Sequence, residues 1–482
     1  MMTTFLTKSL LTSLCQREAY STLFRLGESA RARRKRGARG DFRVNLTSIL
    51  RYSIRLIGVA LFLLQFNTGV YGESESIEGR TLTLRESISI GLKQNPLTEI
   101  SLQNLKAVQE EVGEAWSGYY PSFKLSSSYT FTAQQEIMPI GPDAYDTRFF
   151  LRQTLFDAGA TSSLVRSIRH NITAQDYEVR KTAFDIVLSV RSAFYDLLKK
   201  RDLIEVSKAT LATAEKHLEQ SKELYKEGLA PRSDVIKSEV QVSNARLDVI
   251  KAENGLLSAK AGLATAMGQP VTTNFDVAVQ DEGLIPILPS LRDVLMLAYD
   301  QRPELKGSLA RIESAKANID QAKSGLYPNI SLDASYGWQQ GEFSPSEKKW
   351  SVGLTVGIPI FEQLTAKSRI NQAAANLAGL KASEIQTMRN IELDVQQAWL
   401  SLKEARERLD VTKKTLEQAE EDMRVSEGRY KEGVGNILEV IDAQTALTQA
   451  RTNNVIALYD IENAGAKLDR AIGKETMEET NK

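Results

Sequence analysis

The sequence predicts a mainly α protein with a small β part: duplicated long coiled-coil helical hairpins, plus four β-strands of membrane-crossing length. Three observations predict it. Motifs recur at an offset of about 205 residues, apolar residues hold a 3,4 spacing over very long stretches, and four segments of about ten residues alternate apolar with polar side chains.

The composition excludes several function classes. In 482 residues, 61 Lys+Arg balance 61 Asp+Glu, so no net charge draws the chain to nucleic acid. A single cysteine, Cys15, and two histidines, His170 and His217, leave no disulfide framework and no Cys-based zinc site. Twelve prolines and 7% aromatics favour long helices over compact globules.

The N-terminal part reads as targeting sequence. Arg51 and Arg55 precede an apolar run over 56–66, and Val70-Tyr71-Gly72 leads into an acidic stretch. A charged flank, a short apolar segment and small residues describe a secretory signal with cleavage after Gly72; the alternative is a retained anchor. The basic run Arg31–Arg36 is either a targeting tract or lies upstream of the true start, with Val44 or Leu46 as start positions. Elsewhere no stretch approaches a transmembrane helix, which leaves a β-barrel as the means of crossing a membrane.

The remainder is an internal duplication. Tyr225-Lys-Glu-Gly228 recurs as Tyr430-Lys-Glu-Gly433, and Gly268 matches Gly473 at the same offset. Pro96 matches Pro303, and Tyr120-Pro121 matches Tyr327-Pro328, at an offset of 207. The expected organisation is an extension and signal over 1–72, an N-terminal segment 73–81, a first repeat 82–270, a linker 271–288, a second repeat 289–475 and a tail 476–482. Each repeat reads as helix, helix, two strands, very long helix, long helix.

The long helices carry the clearest periodicity. Val395, Ala398, Leu402, Ala405 and Leu409 begin a 3,4 series that runs unbroken to Tyr430. Its partner runs through Leu447, Ala450, Ala457, Ile461, Ala464 and Leu468, and the first repeat has the same two series. Sustained 3,4 spacing means coiled-coil packing. One helix over 161–227 would span roughly 100 Å at about 1.5 Å per residue.

The strands come two per repeat. Phe123, Leu125, Tyr129 and Phe131 form one apolar series, and Tyr145, Phe149, Leu151 and Leu155 form the next, with Phe150 breaking the pattern. Ile330 to Trp338 and Trp350 to Ile360 repeat the alternation. About ten residues cross an outer membrane when the strand is tilted, apolar face to lipid and polar face to a lumen. A soluble hairpin packed on the helices has the same pattern. Four strands cannot close a transmembrane barrel, which needs at least about eight, so a barrel must be shared between chains.

Together the signal, the duplicated unit and the Tyr-x-x-Gly helix tips resemble the TolC-like outer-membrane efflux protein family over about 82–475. The strongest local match is Tyr430 to Ala443, followed by Gln444-Thr-Ala-Leu447; the other tip resembles Gly228 to Val235. The resemblance implies a homotrimer with a twelve-strand barrel in outer-membrane lipid and a twelve-helix tunnel across the periplasm. It also implies a periplasmic adaptor and an inner-membrane RND, ABC or MFS pump as partners, with no cofactor and no nucleic acid.

Chemistry concentrates at the tips. Glu439 and Asp442 are three apart and share a helix face. That spacing alone also describes a solvated face; the resemblance places both at the pore aperture, where three copies would attract cations. In the first repeat the equivalent positions are Asp234 and Lys237. The resemblance makes Tyr430 and Asp234 gate links; Gly435 stands where the family has a basic link residue, and Arg232 is the replacement. Gly228 and Gly433 have a sufficient structural reading as helix caps needing positive φ, and the resemblance adds adaptor docking around Leu229 and Val434. His170 and His217 are expected at surface or seam positions. No nucleophile–base, metal or phosphate motif supports an enzyme. The expected function is a passive outer-membrane exit channel of a tripartite efflux or type I secretion system; the alternative is a periplasmic coiled-coil spacer or adhesin.

Overall fold

The computed structural model describes residues 77–131, 143–278, 288–340 and 348–474. The expected signal, both hairpin loops, half of the linker and the tail lie outside the described residues. The element order is β1 Thr81–Leu82, α1 Leu84–Gln94, α2 Pro96–Trp116, β2 Ser122–Phe131, β3 Asp143–Phe156, α3 Ala160–Lys226 and α4 Arg232–Ala266. Then follow β4 Asp276–Val277, α5 Leu291–Gln301, α6 Pro303–Ser324, β5 Asn329–Gln340, β6 Lys348–Gly357, α7 Gln363–Lys431 and α8 Ile437–Ile472. The helix–helix–hairpin–helix–helix order expected of each repeat is present twice.

Local chemistry sets the helix starts. Thr83 and Glu86 form a capping box on α1: the Thr83 hydroxyl accepts from Glu86 N–H at 3.2 Å, and Glu86 accepts from Thr83 N–H at 2.8 Å. Pro96 and Pro303 open α2 and α6 at the first helical position, where a missing N–H costs nothing. Asn95 caps α2 by accepting from Leu97 N–H at 2.9 Å.

The 67-residue α3 and the 69-residue α7 are each roughly 100 Å long at about 1.5 Å per residue. Each folds back on its shorter partner along the predicted apolar series. Val395, Leu402, Ala405 and Leu409 of α7 bury against Ala457, Ile461, Ala464 and Leu468 of α8, and Ala214 of α3 buries against Val242 and Ala245 of α4. Small alanines let the backbones approach closely.

The contact between the repeats has a different chemistry. Here α3 lies along α8, and the pairs are polar: Arg191 to Asp469 at 2.8 Å, Tyr459 donating to Asp202 at 2.6 Å, and Thr210 to Thr448 at 3.1 Å. Arg470 of α8 joins Asp185 of α3 at 2.6 Å and Glu304 of α6 at 2.8 Å. Apolar seams hold each hairpin together, and between hairpins these polar pairs run beside an apolar contact in which Tyr459 and Val455 of α8 join the cluster of Phe194 and Leu197 of α3.

The four long strands form one antiparallel sheet in the order β2-β3-β5-β6, which places the two hairpins side by side. A bulge at Thr154/Phe156 inserts Leu155 into β3 without disturbing the alternation above it. One face carries Phe123, Leu125, Phe149, Trp350 and Val352, all exposed, with Phe123 at 79% and Trp350 at 75%. A soluble hairpin packed on the helices would have covered these side chains. The short parallel ladder of β1 with β4 was not expected from the sequence; it seats Ile77, Leu82, Phe275 and Val277 over Ile186 and Val190 of α3.

Candidate functional site: the paired helix tips

At the far ends of α3 and α7 the two repeats build the same turn. Gly228 and Gly433 have φ of 74° and 70°, the left-handed conformation that glycine enters without penalty. Leu229 N–H donates to the Leu224 carbonyl at 2.9 Å, and Val434 N–H donates to the Arg429 carbonyl at 3.0 Å. Ala230 and Gly435 N–H groups add a second bond to those same carbonyls. These are Schellman caps, and they leave Leu229 and Val434 projecting into solvent.

Beyond the turns the tips diverge. Asn436 caps α8, its Oδ1 accepting from Leu438 N–H at 2.7 Å and Glu439 N–H at 3.1 Å, whereas α4 starts after Pro231 with no side-chain cap. Ile437, Val440, Ala443 and Leu447 of α8 bury against Met423 and Tyr430 of α7. That packing turns Glu439 and Asp442 outward together, as their spacing predicts.

The electrostatics are less uniform than two bare carboxylates. Glu439 is bridged by Arg429 of α7 at 3.3 Å. Asp442 is exposed and has no ion pair among the described residues. On the first tip, Lys237 lies 4.0 Å from Asp234, and Arg232 is exposed without an ion pair among the described residues. Within one chain the structure does not bring Tyr430, Asp234 and Arg232 together.

Instead Tyr430 is 6% exposed and sends its hydroxyl toward Ser221 of α3 at 3.5 Å; Ser221 in turn lies 3.1 Å from Ser238 of α4. One turn above, His217 of α3 is buried, with Nε2 at 3.3 Å from the Glu427 carboxylate of α7. Burial pushes its imidazole below the ordinary value of 6.5, with Lys216 adding to the depression and Glu427 opposing it. His217 is thus a seam residue, as expected, but it also links the repeats. Gly435 could not carry a side chain without displacing Arg429, whose Cβ would lie 3.0 Å from the added carbon. Neither the His217–Glu427 contact nor the Arg429–Glu439 pair was anticipated; a salt-bridge signal at i and i+10 across a turn was readable for the second.

The comparisons with known proteins agree with one another. The family model described as outer membrane efflux protein matches residues 88–269 and again 294–474. Protein CyaE of Bordetella pertussis is 25% identical over 403 residues, covering 82% of this chain and 84% of that protein. Outer membrane protein TolC of Escherichia coli is 22% identical over 386 residues, covering 76% and 77%. The crystal structure of the outer membrane protein VceC from Vibrio cholerae superimposes with a TM-score of 0.69 at 18% identity, over 81% of this chain and 96% of that one.

Proposed function

Because the chain belongs to the outer membrane efflux protein family, we infer that it is an outer-membrane exit channel for efflux or secretion that extends into the periplasm, and not an enzyme. The observation that carries the mechanism is the four-stranded sheet with two open edges. Among the described residues β2 and β6 each have one side without a partner strand, and one sheet face is apolar and exposed. In lipid an unpaired strand edge is prohibitive, so the edges must close on other copies. Three copies supply twelve strands, within the range of transmembrane barrels, and three sets of α3, α4, α7 and α8 extend the tube toward the inner membrane.

In this reading the tips form the gated end. Glu439 and Asp442 line the aperture; Tyr430, Asp234 and Arg232 belong to the links that hold it shut; the exposed Leu229 and Val434 beside Gly228 and Gly433 meet a periplasmic adaptor that couples the duct to an RND, ABC or MFS pump. Residues 1–72 are read as the leader removed on export, and 82–270 and 289–475 as the two repeats. Opening separates one packed arrangement of the hairpins from another; the long apolar seams within each hairpin favour movement of whole hairpins over their unzipping.

Cross-linking of the exported protein in intact cells tests the assembly, with trimers expected; products that stop at dimers overturn the shared twelve-strand barrel. Planar-bilayer recording of the purified protein tests the duct, with discrete conductance steps expected. A spacer or adhesin gives none.

A further inference from the structure

The polar face of the sheet has its own charge pattern. The strand register aligns Lys124 with Phe150, Ser335 and Ser351 in one row, and Ser126, Arg148, Gly337 and Lys349 in the next. A further row on the same face carries Arg152 and Asp333, and Asp146 lies on the other side of Arg148. Each arginine is matched by a carboxylate, Arg148 by Asp146 at 2.5 Å and Arg152 by Asp333 at 2.6 Å. Lys124 and Lys349 are exposed and make no ion pair among the described residues. They sit on β2 and β6, the two edge strands. Closing the barrel sets β6 of one copy beside β2 of the next, so the two unmatched lysines fall on adjacent strands at each junction between copies.

We propose that Lys124 and Lys349 make the barrel lumen an anion-favouring filter, in series with the acidic aperture at the opposite end of the duct. This rests on the exit-channel reading, which assigns the polar face to the lumen. The two filters act independently: the tips lie a helix of roughly 100 Å away, against a screening length of about 10 Å at 0.1 M salt. Inside a narrow lumen with low-dielectric walls, fixed like charges raise the local concentration of counter-ions. Small anions and anionic portions of cargo are the ligands this chemistry favours, and Phe150, on the same face beside Lys124, is an apolar element in their path.

Thiol accessibility tests this in the reconstituted full-length protein. With Cys15→Ser as background, S351C places a reporter in the Lys124 row. Rates with a sulfonate-bearing and a trimethylammonium-bearing methanethiosulfonate are each normalised to the rate with a free thiol. The anionic reagent is expected to be favoured several-fold at 0.1 M salt, with the preference collapsing toward one at 1 M, where the screening length is about 3 Å. Adding K124Q and K349Q should bring the ratio near one at low salt as well. A ratio that the lysine changes do not move overturns the filter. V352C, one residue along and on the apolar face, is the control for the faces. If V352C reacts with both water-soluble reagents and S351C with neither, the lumen assignment is reversed, and the exit-channel reading fails with it.

Discussion

His217 on α3 and Glu427 on α7 meet at 3.3 Å across the contact between the two repeats, one turn above the point where Tyr430 reaches Ser221. The imidazole is enclosed, and its affinity for a proton is depressed, first by loss of solvent and then by Lys216, against the opposing pull of Glu427. Packed tips therefore prefer the neutral form. When the tips separate, the group returns toward its ordinary value of 6.5. Below that value the separated arrangement binds more protons, so the packed arrangement loses stability as pH falls through about 6.5 toward the depressed value. Above it the group contributes no pH dependence. H217Q should flatten the fall in melting temperature between pH 7.5 and 5. An unchanged acid slope would remove His217 from the linkage.

The Tyr430 hydroxyl and its ring make separable contributions. Y430F removes one bond to a serine that keeps Ser238 as partner, so the loss should sit near the low end of about 0.5–1.5 kcal/mol. Y430A also empties a buried aromatic site among Met423, Ile437 and Val440, a change that costs about 3–5 kcal/mol in other cores. Chemical denaturation distinguishes them. If the two variants are equally destabilised, the ring is not packed as described.

Glycines at positive φ test where the hairpins are anchored. Gly228 has φ 74° with open space where a Cβ would go, whereas Gly268 has φ 76° and an added Cβ would lie 2.6 Å from Asn95 Cα. G228A should cost only the left-handed backbone term, roughly 1–2 kcal/mol. G268A adds a collision with the α1–α2 junction and should cost clearly more, with α4 loosened from Asn95, whose side chain donates to the Ala266 carbonyl at 2.9 Å. Equal melting temperatures for the two variants would contradict the close approach.

Much of this fold was readable because it is periodic. The α7 series from Val395 to Leu409 and its α8 partners are buried as their spacing requires, and the Tyr-x-x-Gly repeat marks both caps. Phe150, which broke the strand alternation in the sequence, lies on the polar face beside Lys124. Contacts that depend on how two distant helices meet left no such trace. His217 and Glu427 are brought together by packing between repeats, and nothing periodic relates them. The two-residue strands β1 and β4 are too short to show alternation. The repeats also diverge where they align: Asn95 makes a neutral cap, while its counterpart Arg302 is buried beside Glu304 and pairs with Asp394 at 3.0 Å. Duplication predicts position, but it does not predict the chemistry each copy later acquires.

If the tips form the proposed aperture, Glu439 and Asp442 should contribute unequally to ion selection. Spacing treats Glu439 and Asp442 as a pair, yet Arg429 lies 3.3 Å from Glu439 and offsets its charge, while Asp442 has no such partner among the described residues. The field that a cation meets at the tip then comes mainly from Asp442. In planar-bilayer recording at low salt, D442N should reduce cation preference more than E439Q does. R429A should increase it, because the freed Glu439 carboxylate adds a second charge to the same helix face. The Arg429–Glu439 pair is exposed, and such pairs contribute only about 0–1 kcal/mol, so R429A should shift the reversal potential with little change in melting temperature. All three effects should shrink as salt rises, since the screening length falls from about 10 Å at 0.1 M to about 3 Å at 1 M. If R429A lowers cation preference instead, Glu439 does not face the conduction path, and the aperture rests on Asp442 alone.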